Sequence, residues 1–491
     1  MRNYFSSKLK IFKFFLVLST FFVVMIGFVN CSGFSSKSLS SIGSSSSLTS
    51  PDAPVISLTS HFASDLQGSS ISESFNIVLT ADSKLLSVTC QLNLEIPKDC
   101  SSKTITYDNL AIGDYTLTIT ATTTSGASSS IQKTYHKDPA VTSATIPAWL
   151  AGKPLNSWIR VPGTSGAGGS AVFAYSGMAL KASSSEIIIA AAGGHSDSSD
   201  NRVVSIRLDQ DSPAWITRMQ PSAQVQIDVA HYADGKPSAR HTYYSTQYVP
   251  QLDRVMLIGA EFTYGSAVSF SAVDGFNLSN NLWDPAGTWP AATAAFGKTI
   301  NIANGDIWSA SDYNVAKWSA ITGTQTLTLT NAPFMAKQNA WDPARNQLIS
   351  IGFGDGWGYG NFPTLNAYRI DSTGTTVTPI TFNLSPGLTQ FLADKPVSAA
   401  FEYDPDNDRF IYYGGNIDGG RIYVLNPNSS AAWDVSILSL ASGTNNPPLS
   451  DPVGVNNRVR YVPQLKGFVY LHCGPYGSPD NLYLYFIRTS I

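Results

Sequence analysis

Tyr403-Asp-Pro405-Asp-Asn-Asp408-Arg-Phe-Ile-Tyr-Tyr-Gly414 is one of four copies of a single phrase in this 491-residue chain. The others are Tyr248-Val-Pro250-Gln-Leu-Asp-Arg-Val-Met-Leu-Ile-Gly259, Trp341-Asp-Pro343-Ala-Arg-Asn-Gln-Leu-Ile-Ser-Ile-Gly352 and Tyr461-Val-Pro463-Gln-Leu-Lys-Gly-Phe-Val-Tyr-Leu-His472. Each copy has an aromatic residue two places before a proline, a polar turn and then an apolar run. Proline presets φ for a turn, and an unbroken apolar run suits a strand covered on both faces. The phrase therefore predicts a strand, a tight turn and a second, wholly buried strand. Hairpins repeated at a steady interval indicate radial repetition.

Working outward, six units begin after Trp149. Their second strands are expected at Ile187–Ala190, Val255–Ile258, Ile307–Trp308, Leu348–Ile351, Phe410–Tyr413 and Phe468–Leu471. Third strands follow Gly-rich loops at Arg202–Leu208, Val268–Phe270, Asn366–Ile370, Arg421–Leu425 and Asn481–Phe486. Trp215, Trp283 and Trp433 fall where an outer strand would stand. Four strands per unit make a propeller blade. Seven blades is the alternative count, because the third unit lacks the proline phrase. The last unit has no outer strand of its own, and Asn156–Val161, with Trp158, reads as a spare one. Pairing the two would close the ring and remove an open edge.

Charged residues make up 13% of the chain and the formal charge is −3. Away from the N-terminus no basic run exists, which argues against binding a phosphate backbone. Arg2, Lys8, Lys10 and Lys13 precede an apolar segment, Phe14–Val29, slightly short for a membrane span. Phe28-Val29-Asn30-Cys31 resembles a bacterial lipoprotein signal, although the usual pattern is Leu-Ala-Gly/Ser-Cys. The resemblance implies that Cys31 is lipidated and that residues 1–31 are leader. Residues 32–50 are dominated by Ser, have almost nothing to bury, and read as a disordered tether. Together these features predict a lipid-anchored protein of the bacterial cell envelope, with the membrane as a partner. Cys90 and Cys100 lie ten apart in a strand-rich segment, and export permits them to pair. Cys473 is left over.

Residues 51–137 read as strands punctuated by Gly, Asn, Asp and Ser. Tyr107-Asp-Asn-Leu110-Ala-Ile-Gly113-Asp-Tyr115-Thr-Leu-Thr-Ile-Thr-Ala121 resembles the immunoglobulin-like repeats of bacterial surface proteins. In some of these a Cys pair brackets the preceding hairpin. The resemblance implies an Ig-like β-sandwich acting as a spacer. Residues 138–147 read as a linker and 148–491 as the propeller. Gly193-Gly194-His195, Gly414-Gly415-Asn416, the Asn-x-Tyr third strands and the outer Trp residues resemble kelch repeats and the central domain of galactose oxidase. The fold expected is therefore all-β: an Ig-like β-sandwich followed by a kelch-like β-propeller.

Neighbouring strands run antiparallel, so the loop between second and third strands lies at the same end as the start of the first strand. That end gathers His195, Asp197, Glu261, Asp312, Asp355, Asp418 and Asp480, with Arg240-His241 and His472. Phe262, Tyr264, Trp357, Tyr359 and Tyr476 join them. A polar mouth with flat rings suits a sugar, because rings cover its apolar faces while acids and Arg bind its hydroxyls. Acids and glycines in hairpin loops also simply turn chains. A protein ligand, a structural envelope role and a carbohydrate-active hydrolase or lyase using the same carboxylates and His are the alternatives. A copper radical oxidase needs a Tyr-His pair, and the one pair present, Tyr135-His136, falls outside the propeller. No metal spacing, cofactor fingerprint, P-loop or nucleophile elbow stands out.

Overall fold

The computed structural model describes residues 53–491 except 59–70, 80–82, 94, 109, 111–112, 138–145, 165–174, 196–197, 261, 266–267, 293–299, 302–304, 312, 321, 334, 337, 354–363, 416–419, 428–431, 443, 449–453 and 474–482. Cys31 and the Ser-rich stretch lie outside the described residues. No helix among those described is long and apolar enough to cross a membrane.

The N-terminal part pairs two antiparallel sheets. One holds Val55–Leu58, Ile71–Val78 and Thr104–Tyr107; the other holds Lys98–Asp99, Leu85–Leu92, Gly113–Thr123 and Ser128–Lys137. Strand alternation turns one face of each inward. Ile71, Phe75 and Tyr107 from the first sheet meet Val88, Leu92, Leu117 and Ile119 from the second in one core. A buried disulfide joins Cys90 to Cys100. The Tyr107 hydroxyl donates to the Cys90 carbonyl at 3.0 Å.

Six further sheets are formed among the described residues. In order of their first strands they begin at Ala179, Thr246, Ile300, Asn339, Ala400 and Val459. Each first strand touches the next, and the sixth touches the first, so the ring is closed. The sixth sheet consists of Val459–Val462, Gly467–Leu471, Leu484–Arg488 and, as its outer strand, Trp158–Arg160. Ile487 pairs with Trp158 and Phe486 with Ile159, as the spare-strand reading requires. Trp158 packs between Tyr413 and Tyr470, at 5.7 and 6.3 Å.

The apolar runs are explained by the seams. Ile187 and Ile189 face the sixth sheet, whereas Ile188 and Ala190 face the second. Every second strand is thus buried on both faces, and each of the six seams holds its own apolar cluster. The third unit, which the phrase does not mark, is a complete sheet of Ile300–Asn301, Ile307–Ser311, Asn314–Trp318 and Gln325–Leu329. The third strand of the second unit runs Phe270–Asn277, beginning where the sequence reading ended it. A helix, Pro386–Asp394, capped by Ser385, lays Leu388 and Phe391 on the seam between sheets four and five.

The phrase itself has a physical reading. The third residue after each proline, Asp253, Asn346, Asp408 or Lys466, has φ between +46° and +58°, the left-handed region that short polar side chains tolerate best. The residue before each proline is fully buried: Val249, Asp342, Asp404 or Val462. Where it is Asp, arginine partners it: Arg345 reaches Asp342 at 3.2 Å, and Arg409 reaches Asp404 at 3.0 Å. The leading tyrosines close the turn, Tyr248 on Asp253 at 3.0 Å and Tyr403 on Asp408 at 2.7 Å.

Across the axis, Arg460 ties four sheets together. It donates to the Met178 and Thr246 carbonyls at 2.8 and 3.2 Å, to Gln247 at 3.2 Å and to Glu402 at 2.9 Å. Burial lowers its pKa, opposed by the Glu402 charge. Tyr244 spans the axis as well, donating to the Ala399 carbonyl and accepting from Gln338, both at 3.2 Å.

Candidate functional site

Two loops and two approach segments converge at the seam of the first and second sheets. His195 stands on the loop between the second and third strands of sheet one, and Phe262 on the same loop of sheet two. Tyr175 precedes the first strand of sheet one; His241 and Tyr243 precede that of sheet two. Backbone bonds lock them: His195 N donates to the Phe262 carbonyl at 2.8 Å, Gly265 N to the His195 carbonyl at 2.6 Å, and Tyr243 N to the Tyr175 carbonyl at 2.8 Å. Gly194 makes this approach possible. Its φ is +90°, and a Cβ there would stand 2.4 Å from the Phe262 oxygen and 2.5 Å from the Arg240 Cα.

The five rings pack as one cluster. Tyr175 and His241 stack, with centroids 4.2 Å apart and 21° between planes. His241 meets Tyr243 at 5.3 Å, Phe262 at 5.5 Å and His195 at 5.9 Å. The His241 Nδ1 lies 2.9 Å from the Tyr243 hydroxyl. His241 is buried; the other four are half-buried. His195, Tyr243 and Phe262 have φ of +40°, +31° and +45°. A residue with a side chain in such a conformation costs about 1–3 kcal/mol, and such residues gather at functional sites.

The cluster is backed by a buried charge. Arg240, fully enclosed, donates to Asp274 Oδ2 at 2.9 Å and to the Ala230 and Ser238 carbonyls at 2.9 and 3.1 Å. His231 Nε2 lies 2.7 Å from the other Asp274 oxygen. Burial alone would raise the Asp274 pKa, but Arg240 and His231 outweigh it and hold it low. These bonds fold the connection 220–245 on itself. Its Asn201 anchor donates to Ser222 and to the Pro237 carbonyl, and the Ser238 hydroxyl to the Val229 carbonyl. A connection of this length in a compact domain is usually functional.

Of the residues singled out from sequence, His195 and His241 meet here, and Arg240 stands behind them with its side chain committed to Asp274. His472 is buried in the sixth sheet, its ring 6.1 Å from Tyr470 and from Tyr485. Asp197, Glu261, Asp312, Asp355, Trp357, Tyr359, Asp418, Tyr476 and Asp480 lie outside the described residues. Cys473 is buried in the seam between sheets one and six. The sequence reading missed Tyr175, Tyr243, His231 and Asp274. The segment Arg240-His-Thr-Tyr243-Tyr244 was the available signal for one of them. Among the described residues no three His, Cys, Asp or Glu are grouped to hold a metal ion.

The arrangement offers ring faces beside phenol hydroxyls and imidazole nitrogens. Such a surface can stack on an apolar sugar face and bond its hydroxyls. The His241–Tyr243 bond also places two proton-carrying groups together.

No family model and no curated protein matches the sequence. Among solved structures the chain is similar to that of YjhT, at 10% identity over 66% of this chain and 94% of that one, with a TM-score of 0.39. It is similar to an auxiliary nutrient binding protein from Bacteroides ovatus, at 11% identity over 89% and 98%, with a TM-score of 0.39. It is similar also to the RRP9 WD40 repeats, at 9% identity over 68% and 97%, with a TM-score of 0.37. At these scores the likenesses carry no weight, and the all-β ring is read from the strand pairing.

Proposed function

We propose that the chain is a lipid-anchored protein of the bacterial cell envelope whose six-bladed, kelch-like propeller recognises a glycan at the five-ring cluster. Cys31 is the anchor, residues 32–50 the tether, and the sandwich an Ig-like spacer. The observation that carries the recognition reading is the meeting of Tyr175, His195, His241, Tyr243 and Phe262, three of them in the left-handed region. His195 and Tyr243 also donate backbone bonds across this seam, each at 2.8 Å, and the same conformations present ring faces and polar tips together at one end of the propeller.

A glycan array probed with the full-length protein tests the reading. Binding should weaken about tenfold or more in Phe262→Ala and Tyr175→Ala, the loss expected of central aromatic contacts. Failure to retain any glycan would sink it. Metabolic labelling with a clickable fatty acid tests the anchor, and label persisting in Cys31→Ala would overturn it. The His241–Tyr243 bond favours one second reading, a carbohydrate-active enzyme at the same site. Turnover of a bound glycan that Tyr243→Phe abolishes without loss of binding would establish it.

A further inference from the structure

We infer that Tyr244 is a positioning residue of the ring cluster: its hydroxyl, bonded across the propeller axis to sheets four and five, holds the turn that sets Tyr243 among the rings. This rests on the reading above only for what the rings bind. Residues 242–245 form that turn. Ser245 N donates to the Thr242 carbonyl at 2.7 Å, and the Ser245 hydroxyl to the same oxygen at 2.9 Å. Tyr243, the second residue, has φ of +31°, a conformation that turns ordinarily give to Gly, Asn or Asp. The two central residues have separate tasks. The Tyr243 hydroxyl lies 2.9 Å from His241 Nδ1 in the cluster. Tyr244 is buried, and its hydroxyl donates to the Ala399 carbonyl and accepts from Gln338 Nε2, both at 3.2 Å. Ala399 leads into the first strand of sheet five, and Gln338 into that of sheet four.

Nearer bonds tie the turn to the sheets of its own seam. Tyr243 N donates to the Tyr175 carbonyl at 2.8 Å, Gly177 N to the Thr242 hydroxyl at 2.9 Å and Ile258 N to the Ser245 carbonyl at 3.2 Å. A Cβ on Gly177 would stand 2.6 Å from the Tyr243 oxygen, so the two segments press close. A left-handed tyrosine persists only where its surroundings over-determine it. Tyr244 adds a hold from outside the seam, on a partner that is itself fixed. Gln338 is buried, its carbonyl accepts from Ile351 N at 2.9 Å, and a Cβ on Gly352 would collide with its side-chain oxygen. Gly352 is the closing glycine of the sheet-four phrase, so the repeat itself leaves room for this anchor. Burial raises the Tyr244 pKa, opposed by the Gln338 bond and the Arg458 charge, and the phenol keeps its proton to donate at neutral pH.

Hydrogen exchange of the full-length protein, followed by mass spectrometry in the fragment carrying the Tyr243 and Ser245 amides, tests this without a ligand. Tyr244→Phe keeps the ring and removes the hydroxyl, and exchange there should rise about fivefold or more, the worth of one buried hydrogen bond. Tyr412→Phe is the control. It also loses a buried hydroxyl, one that donates to the Pro396 carbonyl at 2.9 Å, and should leave that fragment unchanged. Gln338→Met removes one of the two partners and should raise exchange about twofold, which decides the matter even where Tyr244→Phe does not fold. Unchanged exchange in Tyr244→Phe or in Gln338→Met overturns the inference and leaves the glycan reading standing. So does an equal rise in Tyr412→Phe, which would mean general loosening. A glycan that the array retains on the wild type should bind Tyr244→Phe about fivefold more weakly, and equal binding also overturns the positioning role. An array that retains nothing sinks the recognition reading alone, because the exchange result does not depend on it.

Discussion

The two ends of the propeller follow opposite plans. At one end lie the turns between first and second strands. Four of them repeat one phrase, with a left-handed polar residue at the same place each time. They are stitched across seams by partly exposed pairs: Lys181–Asp253 at 2.7 Å, Arg345–Asp408 at 2.6 Å and Lys466–Asp406 at 3.3 Å. At the other end, between sheets one and two, the left-handed residues include His195, Tyr243 and Phe262. What backs them is an enclosed carboxylate, Asp274, facing Arg240 and His231. At the repeated end the left-handed residue is Asp or Asn in three of the four turns, the types that relieve such strain. The unrepeated end carries it in large ringed residues, whose backbone also bonds across the seam. Repetition thus sets the architecture, and the departure from it marks the place where the chain is shaped for something else.

The largest effect should come from the charge behind the site. Asp274→Asn leaves Arg240 enclosed without its counter-charge and should lower the unfolding free energy by about 3–5 kcal/mol in urea titration. A loss below roughly 1 kcal/mol, the range of exposed pairs, would erase the contrast between the ends. Gly194→Ala comes next, at about 1–3 kcal/mol, because the added Cβ collides with the Phe262 and Arg240 backbones. Gly287→Ala is its control: φ is +82°, and nothing lies within 4 Å of the added atom. It should cost only what the left-handed backbone demands, about 1 kcal/mol. Equal losses at the two glycines would mean that the close approach of the loops contributes nothing.

The ring was legible because a seam imposes its pattern on every strand that crosses it. An unbroken run such as Ile187–Ala190 has one explanation, burial on both faces, and the spare strand with Trp158 followed from the missing outer strand of the last unit. The third sheet was faint, since Ile300–Asn301 and Ile307–Ser311 lack the proline turn that announces the others. The site was half legible. Antiparallel order alone brought His195 and His241 to one end. Tyr175 and Tyr243 were not legible, because their placement depends on backbone bonds between loops far apart in sequence. Asp274 was hidden for another reason: it sits mid-strand, at a position where periodicity predicts an apolar residue, and Arg240 and His231 make it tolerable there.

The smallest effect separates charge from conformation at the repeated end. Asp408→Asn keeps a residue that accepts φ of +46° and removes only the charge facing Arg345. With the Asp408 side chain 51% exposed, the expected loss at neutral pH is about 0.2–1 kcal/mol. The Arg345 bond, aided by Tyr403 and opposed by burial, holds the Asp408 carboxyl below its ordinary value of 3.8. A depressed carboxyl stabilises the fold fully above its unfolded pKa and ceases to as pH falls through the folded one. The gap between wild type and variant should therefore be level from neutral pH down to that ordinary value and close below it. It should also shrink in concentrated salt, which screens exposed charge. A gap that persists in acid would assign the turn's contribution to hydrogen bonding that Asn keeps or loses independently of charge. A gap as large as that of Asp274→Asn would show that the stitched end holds the ring as firmly as the buried charge holds the site.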